Sequence, residues 1–296
     1  MKASVKKKYD NGTAYSMLAP IVVLLTIFVI FPFGYSLYVS FYDWGFYQDS
    51  VFVGWRNYYL VLTDDLFFKS IWVGLKFALY VVPIQMVLSF LFAHVIRAMG
   101  RRASGFVKTS IYIPTIISGI VASIIFGFIY NFDGGLANYL LGLLGMEKIA
   151  WVAEVSTALP SLAVPAVWLG FGISSLIMLA GLLDIPESYY EAADLEGANS
   201  FRKMIHITLP LMKNVILFLV VTGFVGAVQQ LELPLIMTGG GPVNETMMPN
   251  LHIFNHFRND ILMGYTIAAA LLLFVVLGSI SAFIFKILNS EKAIDG

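Results

Sequence analysis

Few side chains in this sequence could recognise or transform a ligand. The polar ones that stand inside or beside long apolar runs are Tyr80 and Gln85, Tyr130 and Asn131, and Gln229, Gln230 and Glu232. Aromatic faces combined with a few amide and carboxylate groups are what a small-molecule pocket uses to hold and orient its ligand. A polar residue at such a place faces either a cavity or a neighbouring helix, and both readings stand for each of these residues. His252 and His256 are one helical turn apart, a spacing at which two imidazoles can share a metal, but no third ligand lies near them in sequence and no metal site is expected. His94 reads as a satisfied residue near the end of an apolar run. With no cysteine, disulfides, thiolate metal sites and redox chemistry are absent. No G-x-x-x-x-G-K-[ST] loop occurs, so nucleotide phosphates are not bound by that route.

A second constellation is mechanical. Glu191-Ala192-Ala193 is followed by Asp194, Glu196 and Gly197, and then by Ile207, Leu209 and Pro210. Pro186 suits the first turn of a helix, and Asp184 before it can cap the start. Glu187, Glu191 and Asp194 recur at helical spacing. The alanines are good helix formers with little bulk, so another surface can approach the backbone closely. Gly197 suits the position just after a helix end. Ser200 can cap a second short helix that carries Phe201 and Ile205 on one face. The expectation is two short helices around a glycine bend, leading into a longer helix at Pro210. An ordinary amphipathic connector would share these features.

The elements that must position these residues are membrane helices. Of 296 residues, 59% are hydrophobic and 12% charged, and the mean hydropathy is +0.82; soluble proteins carry about 25% charged residues. The zero formal net charge and lack of a basic domain argue against nucleic-acid binding. A membrane helix needs about 20 apolar residues, and six stretches qualify: 15–41, 70–96, 106–130, 157–183, 209–231 and 264–288. The first is too long for a signal peptide and no small-x-small cleavage site follows it, so it reads as a retained span. No alternating ten-residue pattern suggests a barrel. The expected fold is all-α, with a segment 1–14, a six-helix domain 15–288 and a tail 289–296.

Lys and Arg set the orientation. Thirteen fall in the N-terminal segment, the second and fourth connections and the tail; five (Arg56, Lys69, Lys76, Lys148, Arg258) fall on the other side. Both termini and the loop 184–210 are therefore expected in the cytoplasm. Tyr42, Trp44 and Tyr47 read as an aromatic belt outside the first span, and Lys76 is expected to stretch outward.

The spacing Glu191-Ala192-Ala193, Gly197, Ile207, Leu209-Pro210 resembles the EAA loop of permease subunits of binding-protein-dependent ABC importers. One departure is Glu196, where many members have Asp. Thr238-Gly239-Gly240-Gly241-Pro242, followed by Thr246, resembles the TGGGP segment of sugar permeases of the maltose and glycerol-3-phosphate transporter type. Phe52, Gly54, Asn57 and Tyr58 fit their F-x-G-x-x-N-Y segment. Gly264-Tyr265 before Ala268-Ala269-Ala270 fits the start of their last span, and Pro20, Phe31, Pro32, Ser40 and Phe41 fit their first. The resemblance covers residues 15–288.

The resemblance implies a non-enzymatic subunit of a bacterial or archaeal plasma-membrane importer. Its partners would be a second permease, in the family usually a different chain, two cytoplasmic ATPase subunits and an extracytoplasmic solute-binding protein. ATP and magnesium would sit on the ATPases, with no cofactor on this chain and a sugar as cargo. The loop 184–210 would be the coupling helix, with Glu191 as an ionic contact, Ala192 and Ala193 as clearance and Gly197 as the turn. The Thr238–Pro242 turn would contact the binding protein, shape an outer gate or make no contact. Two other readings remain. A phosphate cargo would want Arg or Lys in the pathway, where little beyond Lys76 is offered. An ion-coupled secondary transporter would want intramembrane carboxylates, where only Glu232 stands at an edge.

Overall fold

The computed structural model describes residues 2–45, 49–260 and 263–288, with side chains from residue 12 onward except at 260. The lysine side chains at 2, 6, 7 and 8, Tyr47 and the tail 289–296 lie outside the described residues. The chain is mostly helical. In order the elements are α1 (Lys2–Leu25), α2 (Phe31–Val39), β1 (Tyr42–Asp43), β2 (Val51–Phe52), α3 (Arg56–Leu62), α4 (Asp65–Ala98), α5 (Arg101–Ile116), α6 (Gly119–Ile129) and α7 (Leu136–Leu143). Then follow α8 (Ala158–Leu183), α9 (Glu187–Leu195), α10 (Ser200–Lys203), α11 (Leu209–Leu211), α12 (Lys213–Val228), α13 (Glu232–Met237), α14 (Pro249–Asn255) and α15 (Met263–Leu288).

Five helical runs are long and apolar enough to cross a bilayer: Gly12–Val39, Asp65–Ala98, Ala158–Leu183, Lys213–Met237 and Met263–Leu288. The stretch 106–130, expected as one helix, is instead a pair, α5 and α6, bent by 96°. Pro114 withholds an amide from the last turn of α5. Ile117 and Ser118 are extended, and the Ser118 hydroxyl restarts the chain as α6 by accepting from Val121 N at 3.3 Å. The fifth stretch is also segmented, with a break at Met212 and another between Val228 and Glu232. Two π turns, Thr26–Ile30 and Met204–Thr208, each end two residues before a proline, Pro32 and Pro210. A proline leaves the carbonyl four residues back without a donor. The wider turn passes the preceding amide to the carbonyl five back, Phe31 N to Thr26 O and Leu209 N to Met204 O.

The contacts divide the chain into two compact units. One comprises residues 1–64 and 253–272. Here β1 and β2 pair antiparallel, Tyr42 opposite Phe52 and Asp43 opposite Val51. Asn57, nearly buried, donates from Nδ2 to Ser40 O at 2.8 Å and Tyr42 O at 2.9 Å. Tyr58 OH meets Ser40 Oγ at 2.7 Å. The rings of Phe41, Trp55 and Tyr58 lie 5.0–5.5 Å apart. At the start of α15, a side chain on Gly264 would meet Asn57 Nδ2 at 2.4 Å and Tyr42 O at 2.5 Å. Tyr265 OH donates to Asp64. The motif residues 52–58 and 264–265 thus form one joint.

The other unit comprises residues 65–252 and 273–296. Helix α4 packs along α8, α12 lies against α4, α5 against α8 and α13 against α6. One core cluster gathers Ala93 and Ile96 of α4, Ile111 of α5, Met178, Leu179 and Leu182 of α8, and Met212 and Leu219 at the fifth stretch. The backbones of α5 and α8 meet at Gly172, where an added Cβ would lie 1.9 Å from Ile111 O. Thr115 Oγ1 donates to Leu169 O at 3.1 Å beside it. Gly172→Ala must push α5 off α8, at a cost of about 1–3 kcal/mol. Its thermal unfolding midpoint in detergent should fall, whereas Gly127→Ala, with open space around the new carbon, should melt like the parent. Equal midpoints for the two variants would refute this packing.

Candidate functional site: the Glu187–Leu211 elbow

Helix α9 begins after Pro186, which is its N-cap and offers no side-chain bond. Asp184, expected to cap it, instead closes α8, its amide donating to Ala180 O at 3.1 Å. At the far end Gly197 has φ +73°. Gly197 N donates to Asp194 O at 3.0 Å and Ala198 N to Ala193 O at 2.9 Å, the pair of bonds that closes a helix when the residue after its end turns left-handed. The next helix, α10, is capped by Asn199, whose Oδ1 accepts from Arg202 N at 2.9 Å. Ser200, expected in that role, is the first residue of the helix. The amide oxygen of Asn199 reaches an open amide just as a serine hydroxyl would, one position earlier. The chain then passes through the π turn to α11 and Pro210.

The elbow has a tied face and a free face. On the tied face Arg97 of α4 reaches Glu187 at 3.4 Å and lies 5.1 Å over the Tyr190 ring. Tyr190 OH meets the buried Thr208 Oγ1 at 2.9 Å, and its ring packs on the core of α4, α5 and α8. An ion pair from Lys203 to Asp194 bridges the two short helices. Ile207 and Leu209 are half-buried. On the free face Glu191, Ala192 and Glu196 are exposed, and Ala193 is partly so. Leu195 is 92% exposed, and Phe201 and Ile205 are exposed as well. An open cleft of about 440 Å³ beside the elbow is lined by His94, Arg97, Tyr190, Phe201, Lys203 and Thr208. The His94 ring is held by Phe90 O at 2.9 Å.

The polar residues of the apolar runs are not brought together. Gln85 spends its amide on α8, donating to Ser174 Oγ at 2.6 Å and Gly170 O at 3.2 Å. Tyr130 does likewise, donating to Ser161 O at 3.1 Å and stacking on Trp151. Asn131 closes a local turn, its Oδ1 accepting from Asp133 N and Gly134 N at 3.1 Å. Tyr80, Gln229 and Glu232 are exposed and Gln230 is half-exposed. The Glu232 carboxylate lies against Gly119, at the restart of the bent pair.

Thr238–Pro242 folds on itself. Gly239 and Gly240 have φ +60° and +92°, which other residues adopt at a cost. Thr238 Oγ1 lies 2.9 Å from Pro234 O and 2.7 Å from the buried Thr246 Oγ1, whose own proton goes to Gly241 O at 2.6 Å. The loop is stapled to α4 by Lys69, which reaches Glu245 at 3.0 Å and Val243 O at 2.8 Å. Lys76, expected to stretch outward, ends 3.8 Å from Glu245.

A family model described as "Binding-protein-dependent transport system inner membrane component" matches residues 67–293. The chain belongs to this family. Among relatives of this transport component, the probable ABC transporter permease protein YesP of Bacillus subtilis is 33% identical over 291 residues, covering 97% of this chain and 93% of the relative. The trehalose/maltose transport system permease protein MalF of Thermococcus litoralis is 30% identical over 257 residues, 86% of each chain. The arabinooligosaccharides transport system permease protein AraP of Bacillus subtilis is 28% identical over 286 residues, 95% of this chain and 90% of the relative. In fold, the component superposes on a chain of the bacterial alginate ABC transporter solved in complex with an alginate pentasaccharide-bound periplasmic protein. The TM-score is 0.78, with 19% identity, covering 95% of this chain and 96% of that one. It is a transport subunit.

Three contributors to this transport component are absent from any motif reading. Asn199 differs from the expected cap by one position. Glu245 had no visible role until the fold set it opposite two lysines. Leu195 did carry a signal: it is the one large aliphatic residue on a helix whose other free-face residues are acidic or alanine.

Proposed function

We propose that this chain forms, with a second permease of different sequence, the membrane pathway of an ABC importer for a neutral sugar or oligosaccharide. It crosses the membrane six times, the bent α5–α6 pair counting as one span, with both termini in the cytoplasm. Residues 1–14 and 289–296 flank the membrane domain 15–288. A solute-binding protein delivers the cargo from outside. Two cytoplasmic ATPase subunits, which carry the ATP and magnesium, receive the 184–210 elbow. Glu191 makes an ionic contact with the ATPase cleft, Ala192 and Ala193 give clearance, and Gly197 sets the angle.

The observation that carries this reading is the two-faced elbow. An apolar and acidic face is open to a partner, while Arg97, Tyr190 and Thr208 tie the opposite face to the membrane helices. A push on the free face is therefore passed to α4 and the fifth stretch as a rigid-body movement, the kind of gating that alternating access requires. The cargo class is supported by relatives named for trehalose, maltose and arabinooligosaccharides. It is also supported by the pairing of Lys69 and Lys76 with Glu245, which leaves a phosphorylated cargo poorly served. Glu232, Gln229 and Gln230 are the open polar groups with which a sugar would bond, and Tyr80 offers a ring.

Deletion of the gene, followed by uptake of labelled trehalose, maltose and arabinooligosaccharides, tests the cargo. Uptake of at least one should be lost and return with the gene. Unchanged uptake of all neutral sugars, with loss of a phosphorylated solute, would overturn the sugar assignment.

A further inference from the structure

Between α6 and α8 the chain does not simply loop. Helix α7 has no charged residue, and its inner face is locked. Asn138, nearly buried, donates to Phe132 O at 3.1 Å and Ile149 O at 3.0 Å, and its Oδ1 accepts from Ile149 N at 3.1 Å and Trp151 Nε1 at 3.0 Å. Every hydrogen-bonding site of that amide is used. Trp151 in turn stacks on Tyr130, which is bonded to Ser161 of α8. The rotation of α7 about its axis is thereby fixed, and Leu136, Tyr139, Leu140 and Leu143 are held outward at helical spacing, each at least half exposed. Leu144 and Met146 extend the stripe.

We propose that α7 is an in-plane helix seated in the interface of the outer leaflet, with this stripe among the acyl chains. The proposal rests on the reading of the chain as a membrane-spanning permease. Three observations select lipid as the occupant. The stripe continues the exposed apolar surface of α6, through Ile124, Phe128 and then Phe132, so the two share one solvent. The charges near it gather at one edge, where Lys148 reaches Asp133 at 3.6 Å and lies 5.3 Å over the Phe132 ring, an arrangement that keeps charge at the headgroups while the rings and leucines go deeper. A binding protein that arrives and leaves in each cycle would return a large apolar patch to water each time, which soluble surfaces avoid.

The absence of cysteine allows a clean test. Single-cysteine variants Leu140→Cys, Leu143→Cys, Glu147→Cys and, as a bilayer control, Phe28→Cys are spin-labelled in the full chain, co-purified with its partner subunits and returned to phospholipid vesicles. Collisions with dissolved oxygen report lipid, and collisions with a water-soluble nickel chelate report water. At positions 140 and 143 oxygen should exceed the chelate severalfold, and at 147 the order should reverse. Chelate exceeding oxygen at 140 and 143 would put α7 in water. Low values for both reagents there would put it under protein. Either result overturns the proposal while the Phe28→Cys label still reports lipid. If that control reads water, the membrane-spanning reading itself fails.

Discussion

Replacing Gly197 with valine is expected to cut ATP-coupled uptake about tenfold or more while leaving membrane insertion unchanged. Space is not the reason, since nothing lies within 4 Å of a carbon added there. The reason is φ +73°, where an ordinary side chain costs about 1–2 kcal/mol and a β-branched one more. A penalty of about 1.4 kcal/mol is a factor of ten against the native elbow. The two bonds that close α9 both depend on that left-handed turn, so losing it re-aims α10 and the free face together. Asparagine tolerates the left-handed region, so Gly197→Asn should keep most of the uptake. Equal uptake by the valine and asparagine variants, with equal amounts of chain in the membrane, would remove the turn from the mechanism.

A second large effect is expected at Leu195. Almost none of this side chain is covered by the rest of the chain, so Leu195→Glu should leave the thermal midpoint of the isolated chain unchanged. In the assembled transporter the same change should release the ATPase subunits. Fully burying a leucine contributes about 1.5–3 kcal/mol, which corresponds to roughly ten- to a hundredfold weaker association. Retention of the ATPase subunits through purification, measured against Leu195→Met, reads this directly. Wild-type retention by the glutamate variant would refute docking through Leu195.

The sequence reading and the structure agree most closely where local chemistry decides. The fourth and sixth apolar stretches, expected at 157–183 and 264–288, are α8 (Ala158–Leu183) and α15 (Met263–Leu288). Gly197 ends a helix because only a left-handed residue can close α9 in that way. The third stretch is bent where one helix is expected, because hydropathy averages over the chain and is blind to a change of direction. The signals for the break were present in Pro114 and in Ser118-Gly119, a serine–glycine pair of the kind that kinks helices. The polar candidates Gln85 and Tyr130 illustrate a different limit. Their types suit a sugar, yet whether an amide meets cargo or a neighbouring helix depends on partners far off in sequence, such as Ser174 and Ser161. The joint of Asn57 with Gly264 was legible only as two separate motifs, because the contact spans most of the chain.

The first apolar run, Gly12–Val39, has none of its most apolar window buried. In synthesis from the N-terminus, that segment reaches the membrane before the helices that follow it here. A helix with no covered face within its own chain can partition without waiting for a later helix of that chain. Helix α8 is different, since Ser174 finds its partner in Gln85 of α4 and Gly172 is shaped to the backbone of α5. Synthesis from the N-terminus delivers α4 and α5 before α8 emerges. The Gln85 amide of α4 in turn waits for α8, so the last of these three helices to emerge is the one that satisfies it.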